Sequence, residues 1–264
     1  MKQLKDEDLR RAVRKSYGDI AEAGGAGCDG AEASCCGPVT AAESISVGMG
    51  YSSEEVAAVP EGSNLGLGCG NPQAIAVLRS GETVVDLGSG AGFDCFLAAR
   101  AVGENGHVIG VDMTPEMIGK ARENAVKGGF ENVEFRLGEI ERVPVADDSI
   151  DVIISNCVIN LSPDKTRVFE EAFRVLKPGG RLAVSDVVAT AELPDEVKKD
   201  LALYTGCVAG AEPISQLKTA LAAAGFTDIR IEPLQRSKEI IREWAPGKRI
   251  EDLVVSASIE AVKP

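Results

Sequence analysis

Residues 84–92 read VVDLGSGAG, and residues 108–113, beyond a helical pattern, read VIGVDM. A β-branched run ends near Asp86, and a loop with Gly88, Ser89, Gly90 and Gly92 opens straight into a helix-period stretch. Strand, glycine-rich turn and helix make the first half of a nucleotide-binding βαβ unit. Glycine lets the main chain approach a ligand where any Cβ would clash. Asp112, ending the second strand, is placed to bind ribose hydroxyls. A dinucleotide site asks for a third small residue in G-x-G-x-x-G/A, and that position is Phe93. The spacing therefore turns the reading away from a dinucleotide.

Composition sets the outer limits. A chain of 264 residues with 44% hydrophobic content fits one large α/β domain with an appendage. The formal net charge is −13 and no basic block occurs, so the surface repels phosphate backbones and a nucleic-acid partner is excluded. The start, MKQLKDEDLRRAVRK, is charged throughout, with no sign of a signal peptide. No apolar run approaches the roughly 20 residues a membrane span needs. Seven cysteines, an odd number, argue for free thiols in the cytoplasm and against a disulfide framework. The one histidine, His107, excludes a Ser-His-Asp hydrolase built on any other position and any site needing two imidazoles.

The chain reads in three parts. Apolar positions at Leu9, Val13, Tyr17 and Ile20 predict an amphipathic helix over 3–22. The Gly/Ala/Ser-rich segment 24–38, with Cys28, Cys35 and Cys36, predicts a mobile loop. Residues 1–70 thus form an N-terminal cap, and 71–264 the main domain, with 189–212 as an insertion for the substrate. Strands are predicted at 83–87, 107–112, 133–137, 151–155 and 181–188, with helices between them. Thr114-Pro115-Glu116 and Ser162-Pro163-Asp164 each offer a hydroxyl at the helix N-cap and proline behind it. Lys177-Pro178-Gly179-Gly180 ends a helix and launches the fifth strand. This alternation predicts a parallel sheet covered on both faces. A helix near 215–223 and strands at 228–232 and 254–261 complete it as an antiparallel hairpin.

Ligands of such sheets sit outside the carboxyl ends of the strands. The glycine loop, Asp112 with Met113, and the turn LGEIE after the third strand all lie on that edge, where Glu139 and Ile140 would flank an adenine. So does SNCVINL, leaving the fourth strand, which puts Asn156 and Cys157 beside the cofactor.

An acid two positions before alternating glycines resembles the signature of S-adenosylmethionine (SAM) methyltransferases, a Rossmann-like fold. Residues 155–158, Ser-Asn-Cys-Val, match neither the Pro-Pro-Tyr nor the Pro-Cys motif of nucleic-acid methyltransferases. GLGCGNP at 66–72, SNCVINLSPDK at 155–165 and YTGCVAGA at 204–211 resemble the three cysteine motifs of arsenite methyltransferases. Tyr17-Gly18, Cys35-Cys36 and the closing REWAPGKRIEDLVVSASIEAVKP are similar to the same family. Leu67 stands where some members carry an aromatic residue, and the third motif lacks a tryptophan and acid ahead of its cysteine.

The resemblance implies SAM as methyl donor, leaving S-adenosylhomocysteine, and trivalent arsenic (arsenite or methylarsenite) held by Cys69, Cys157 and Cys207. It implies that Cys36 or Cys35 delivers the metalloid and that a glutathione- or thioredoxin-type thiol acts as reductant, in arsenic detoxification. Thiolates are soft donors suited to thiophilic ions. Three sulfurs at about 2.3 Å from one atom lie roughly 3.5 Å apart. The arsenic lone pair attacks the methyl in line with the departing sulfur, so no general base is needed. A small-molecule methyltransferase with structural cysteines is the alternative, and a thiol-based metal-binding protein a third reading. Cys95 reads as a packed core residue and Asp147-Asp148 as a solvated turn. His107 reads as a surface residue and Trp244 as a core residue.

Overall fold

The computed structural model describes residues 6–23, 40–245 and 247–264. Cys28, Cys35 and Cys36, and with them the expected mobile loop and metalloid relay, lie outside the described residues. Four helices precede the sheet: α1 (Asp6–Ala23), α2 (Thr40–Met49), α3 (Ser53–Ala57) and α4 (Gln73–Ala76). Then β1 (Thr83–Leu87), α5 (Phe93–Val102), β2 (His107–Asp112), α6 (Pro115–Gly128), β3 (Val133–Leu137), β4 (Ile150–Asn156), α7 (Lys165–Val175) and β5 (Leu176–Ala189) alternate. Two short helices follow, α8 (Asp195–Lys198) and α9 (Leu201–Thr205), and then α10 (Ile214–Ala224), β6 (Thr227–Pro233), α11 (Lys238–Trp244) and β7 (Val254–Val262).

The seven strands form one sheet in the order β3-β2-β1-β4-β5-β7-β6. Strands β1 to β5 run parallel, and β7 lies antiparallel between β5 and β6. Successive side chains on a strand point to opposite faces, and both faces are covered. Val84, Val108, Val152, Ile154 and Ala183 pack with α5 and α6 through Cys95, Phe96, Ile118 and Ala121. Val85, Ile109, Ile153, Leu182 and Val184 pack with Val168 and Phe169 of α7 and Leu217 and Leu221 of α10. Cys95 is fully buried, as expected of a core thiol. Trp244 is only half-buried, at the rim of the cluster that holds the cysteine motifs.

Three local readings are corrected. Ser162 is not the cap of α7: Asp164 is, accepting from the Arg167 N–H at 3.0 Å, while the Ser162 hydroxyl donates to Glu141 at 2.7 Å. A carboxylate accepts more strongly at a helix N-terminus than a hydroxyl. Thr114 sits at the α6 N-cap without a side-chain cap, and its N–H is taken instead by Asp112 Oδ1 at 2.8 Å. Strand β5 starts at Leu176, before the Lys-Pro-Gly-Gly run, which it absorbs as a register jump from Ile150↔Leu176 to Val152↔Arg181. Gly179 accommodates the jump at φ +82°, its N–H donating to the Lys263 carbonyl at 2.8 Å.

Residues 190–212 leave and rejoin the sheet at nearly one point. Ala189 bridges Pro213, and the Ala189 N–H donates to Glu212 O at 3.0 Å. Helix α1 lies across this segment and α6: the Tyr17 hydroxyl donates to Thr205 O at 3.3 Å, and Lys120 Nζ donates to Ala21 O at 3.2 Å. Gly92 opens α5 at φ +98°, and a Cβ there would lie 2.7 Å from the Phe96 ring and 2.9 Å from Phe135. Gly92→Ala is expected to destabilise the protein by about 2–4 kcal/mol, left-handed strain and overpacking combined; a lowered urea midpoint at unchanged slope checks it.

Candidate functional site

The glycine loop is built as a cradle. Gly88 and Ser89 both direct their N–H groups at Val111 O, at 2.8 and 3.0 Å, which locks the loop to the end of β2. The Gly90 N–H donates to Asp112 Oδ2 at 3.0 Å. A Cβ on Gly88, at φ +76°, would collide with Val158, so glycine is the residue that fits. The Ser89 hydroxyl is buried and has no hydrogen-bond partner among the described residues, a donor in want of an acceptor on the loop itself. That orphan, the glycine cradle and the Asp112 carboxylate fit a nucleoside-bearing ligand such as SAM.

Asp86 sits deeper. It is 2% exposed and accepts from the Cys95 thiol at 3.3 Å, and burial beside Asp94 pushes its carboxyl well above the usual range. Ile140 is buried, whereas Glu139 is 40% exposed and paired with Arg14 at 3.5 Å and Arg10 at 3.9 Å. Those two arginines come from α1, so the helix is tied to the edge where the adenine was expected. Met113 is half-buried and packs on the cysteine cluster, as Tyr17 does. Tyr17 also packs on the cluster holding Ala91 of the glycine loop, so it stands between the sulfurs and the cradle.

Asn156 is the junction between the two halves. Its Oδ1 accepts from the Cys69 N–H at 3.0 Å. Its Nδ2 donates to Gly70 O at 2.8 Å, meets the Tyr51 hydroxyl at 3.0 Å and reaches Asp94 Oδ2 at 3.3 Å. The Tyr51 hydroxyl in turn donates to Asp94 Oδ1 at 2.7 Å, and Gln73 Nε2 donates to Asp94 O at 2.9 Å. Burial pushes Asp94 up to about 6 against these hydrogen bonds. Tyr51 and Asp94 were not singled out in the sequence. Asp94 carried one legible signal, an acid in the first turn of the helix that leaves the glycine loop.

Cys69, Cys157 and Cys207 come together from distant parts of the chain. All three are buried free thiols, at 5%, 8% and 2% exposure, in one apolar cluster with Val13, Val187, Leu203 and Val208. The sulfurs of Cys69 and Cys157 and a carboxylate oxygen of Asp186 lie within 4.8 Å of one another. The Cys207 thiol donates to the Cys157 carbonyl at 2.8 Å. Cys157 and Cys207 adopt left-handed backbone conformations, φ +58° and +62°. Such a conformation costs an L-residue free energy and persists only where the surroundings enforce it.

The electrostatics keep these thiols neutral. Burial raises Cys69. A hydrogen bond with Cys207 pulls Cys157 down but is outweighed by its bond with Cys69 and by burial. Cys207 is raised by Cys157 and by burial. Asp186, which the sequence reading missed, accepts from Val187 N at 2.7 Å, Ile159 N at 2.9 Å and Asn160 N at 3.3 Å, and burial pushes it up to about 6. Its signal was a lone acid inside the apolar run AVSDVV.

Comparison with known proteins points to one family. A methyltransferase-domain model matches residues 78–238. An arsenite methyltransferase of Halobacterium salinarum is 54% identical over 98% of this chain and 67% of its own length. One from Aquipseudomonas alcaligenes is 47% identical over 65% of this chain and 51% of its own. Among solved structures, an arsenic(III) S-adenosylmethionine methyltransferase from Chlamydomonas reinhardtii is 34% identical with a TM-score of 0.63, covering 86% of this chain and 75% of that one. The chain thus spans between half and two thirds of the length of these curated relatives. Fold and cofactor cradle define a SAM-dependent methyltransferase. Within that class the chain belongs to the arsenite methyltransferase family.

Two outcomes are expected. Asn156→Ala leaves the Cys69 N–H unpaired and should lower stability by about 1–3 kcal/mol in urea unfolding. Stability should also fall as pH climbs above 9.0, the ordinary thiol value, because the unfolded chain loses thiol protons that the folded chain retains. Serine at 69, 157 and 207 together should flatten that fall in unfolding curves recorded from pH 7 to 10.

Proposed function

We propose that this enzyme methylates trivalent arsenic: arsenite, held by the sulfurs of Cys69, Cys157 and Cys207, and then methylarsenite, whose two exchangeable hydroxyls let it take two of those sulfurs. The observation that carries the reading is the meeting of three motif cysteines in one buried cluster at the carboxyl edge, joined to the cofactor cradle through Asn156. SAM supplies an activated methyl carbon on a sulfonium. Asp112 would hold its ribose and the Gly88–Gly92 loop its backbone-facing side.

Arsenous acid exchanges its three hydroxyls for three thiolates and releases three waters. Neutral thiols suit that exchange, since each S–H proton leaves with a hydroxyl as water and no free proton is released. Pyramidal arsenic keeps a lone pair, which forms the As–C bond as the S–CH₃ bond breaks and its electrons return to sulfur. No general base is required, and Asp186, the acid grouped with these sulfurs among the described residues, is tied to three main-chain N–H groups. Catalysis rests on near-attack positioning, worth up to about 7–11 kcal/mol in well-oriented cases. Helix α1 and the 189–212 insertion would exclude water from the pocket, with Tyr17 closing the sulfur side.

Cys36, or its neighbour Cys35, would pass the metalloid inward. A glutathione- or thioredoxin-type thiol would restore arsenic and cysteines to the reduced state. The cytoplasm, where thiols stay reduced, is the compartment this implies. Among the described residues no helix is long and apolar enough to cross a membrane.

The test is turnover of SAM with arsenite and a thiol reductant, read as methylated arsenicals. Methylation of another small acceptor without arsenic products would favour structural cysteines. Cys157→Ser should abolish arsenite methylation while leaving SAM affinity within a few-fold. Asp112→Ala should weaken SAM binding roughly 10- to 100-fold by calorimetry, the loss of a charged hydrogen-bond acceptor.

A further inference from the structure

The pocket offers one donor that three-sulfur arsenic does not need. Asp186 stands with Cys69 and Cys157 in a single group whose ligand atoms lie within 4.8 Å of one another, all three residues buried. Two sulfurs and a hard oxygen are the ligand mixture of tetrahedral zinc, with Zn–S near 2.3 Å and Zn–O near 2.0–2.2 Å. Contraction of the group by about an ångström would bring all three atoms onto one centre. The Cys207 sulfur is held apart from this group, against the Cys157 carbonyl at 2.8 Å. The Ser256 hydroxyl, on the strand residue that pairs with Val187, is buried beside Cys69 and adjoins the same group.

We propose that Cys69, Cys157 and Asp186 form a site for a thiophilic divalent cation of the zinc class, which occupies the pocket in competition with arsenite. Binding breaks two S–H bonds and sends both protons to the buffer while two metal–sulfur bonds and one metal–oxygen bond form. Two thiolates and one carboxylate against a divalent ion leave a single negative charge. Lys165, buried and paired with Glu212 at 3.8 Å, also lies in the field of Asp186 and offsets part of it. Asp186 sets the selectivity: a hard oxygen in the fourth direction favours a four-coordinate cation, whereas arsenic(III) is complete with three sulfurs. Cation binding stands without the arsenic reading; only the competition rests on it.

The experiment uses the full chain carrying C28S, C35S and C36S, so that of the thiols outside the pocket only the fully buried Cys95 remains. Cobalt(II) alone is titrated and read by its sulfur-to-metal charge-transfer and tetrahedral d–d absorption, then displaced with zinc(II). The expected result is one tightly bound cobalt, displaced by zinc, with affinity at least about tenfold weaker in D186N. Arsenite affinity, measured separately, should change less than about twofold in D186N. Zinc-edge X-ray absorption of the chain with native Asp186 should show an oxygen shell beside the sulfur shell, which holds the test open if D186N does not fold. Absence of the charge-transfer band, an all-sulfur zinc shell, or cobalt affinity unchanged in folded D186N would overturn the site. Cobalt bound as described but undisturbed by arsenite would leave the cation site standing and count against arsenic in this pocket.

Discussion

The carboxyl end of β4 is where the cofactor half and the sulfur half of the molecule are joined, and a few hydrogen bonds there hold both. Asn156, the last residue of the strand, takes the Cys69 N–H and reaches Gly70, Tyr51 and Asp94. Cys157, the next residue, turns into the left-handed region at φ +58° with its N–H fixed to Ser185 O at 2.8 Å. An L-residue pays about 1–2 kcal/mol for that conformation. The turn sends the side chain back over the strand ends, where Cys69 and Cys207 converge. Were Asn156 to let go, the segment carrying Cys69 would lose its main anchor to the sheet.

Much of this was legible in the sequence because it rests on short-range patterns. The glycine loop and the second-strand acid placed β1 and β2 at their ends, and Thr114-Pro115-Glu116 placed the start of α6. The pairing of β6 and β7 followed from two late strand patterns. The misreadings share a cause, competition among polar groups that only tertiary packing decides. Ser162 looked like a cap, yet Glu141 takes its hydroxyl and Asp164 takes the cap. The Lys-Pro-Gly-Gly run looked like a loop, yet the Lys263 carbonyl draws Gly179 onto the sheet.

The site was less visible than the fold. Each cysteine lay in its own motif, and motifs do not state which atoms face each other. Asp186 was hidden because a buried acid in an apolar strand reads as an irregularity until its three main-chain donors are seen. Tyr51 and Asp94 were hidden because they act through Asn156, which is distant from both in the chain. The Arg10 and Arg14 contacts to Glu139 and Glu141 are long-range pairs with no local signal, yet they set how α1 lies over the edge.

On the proposed reading, the chemistry depends on neutral buried thiols gathering around one soft atom. Their neutrality comes from the same burial that shapes the pocket, so binding and water exclusion share one cause. Arsenic-edge X-ray absorption of the arsenite-loaded chain with serine at 28, 35 and 36 tests this most directly. The account predicts a single shell of three sulfurs at about 2.3 Å, on the scale of other thiolate bonds. A residual oxygen shell, or a sulfur count unchanged when Cys69, Cys157 and Cys207 are replaced, would contradict it.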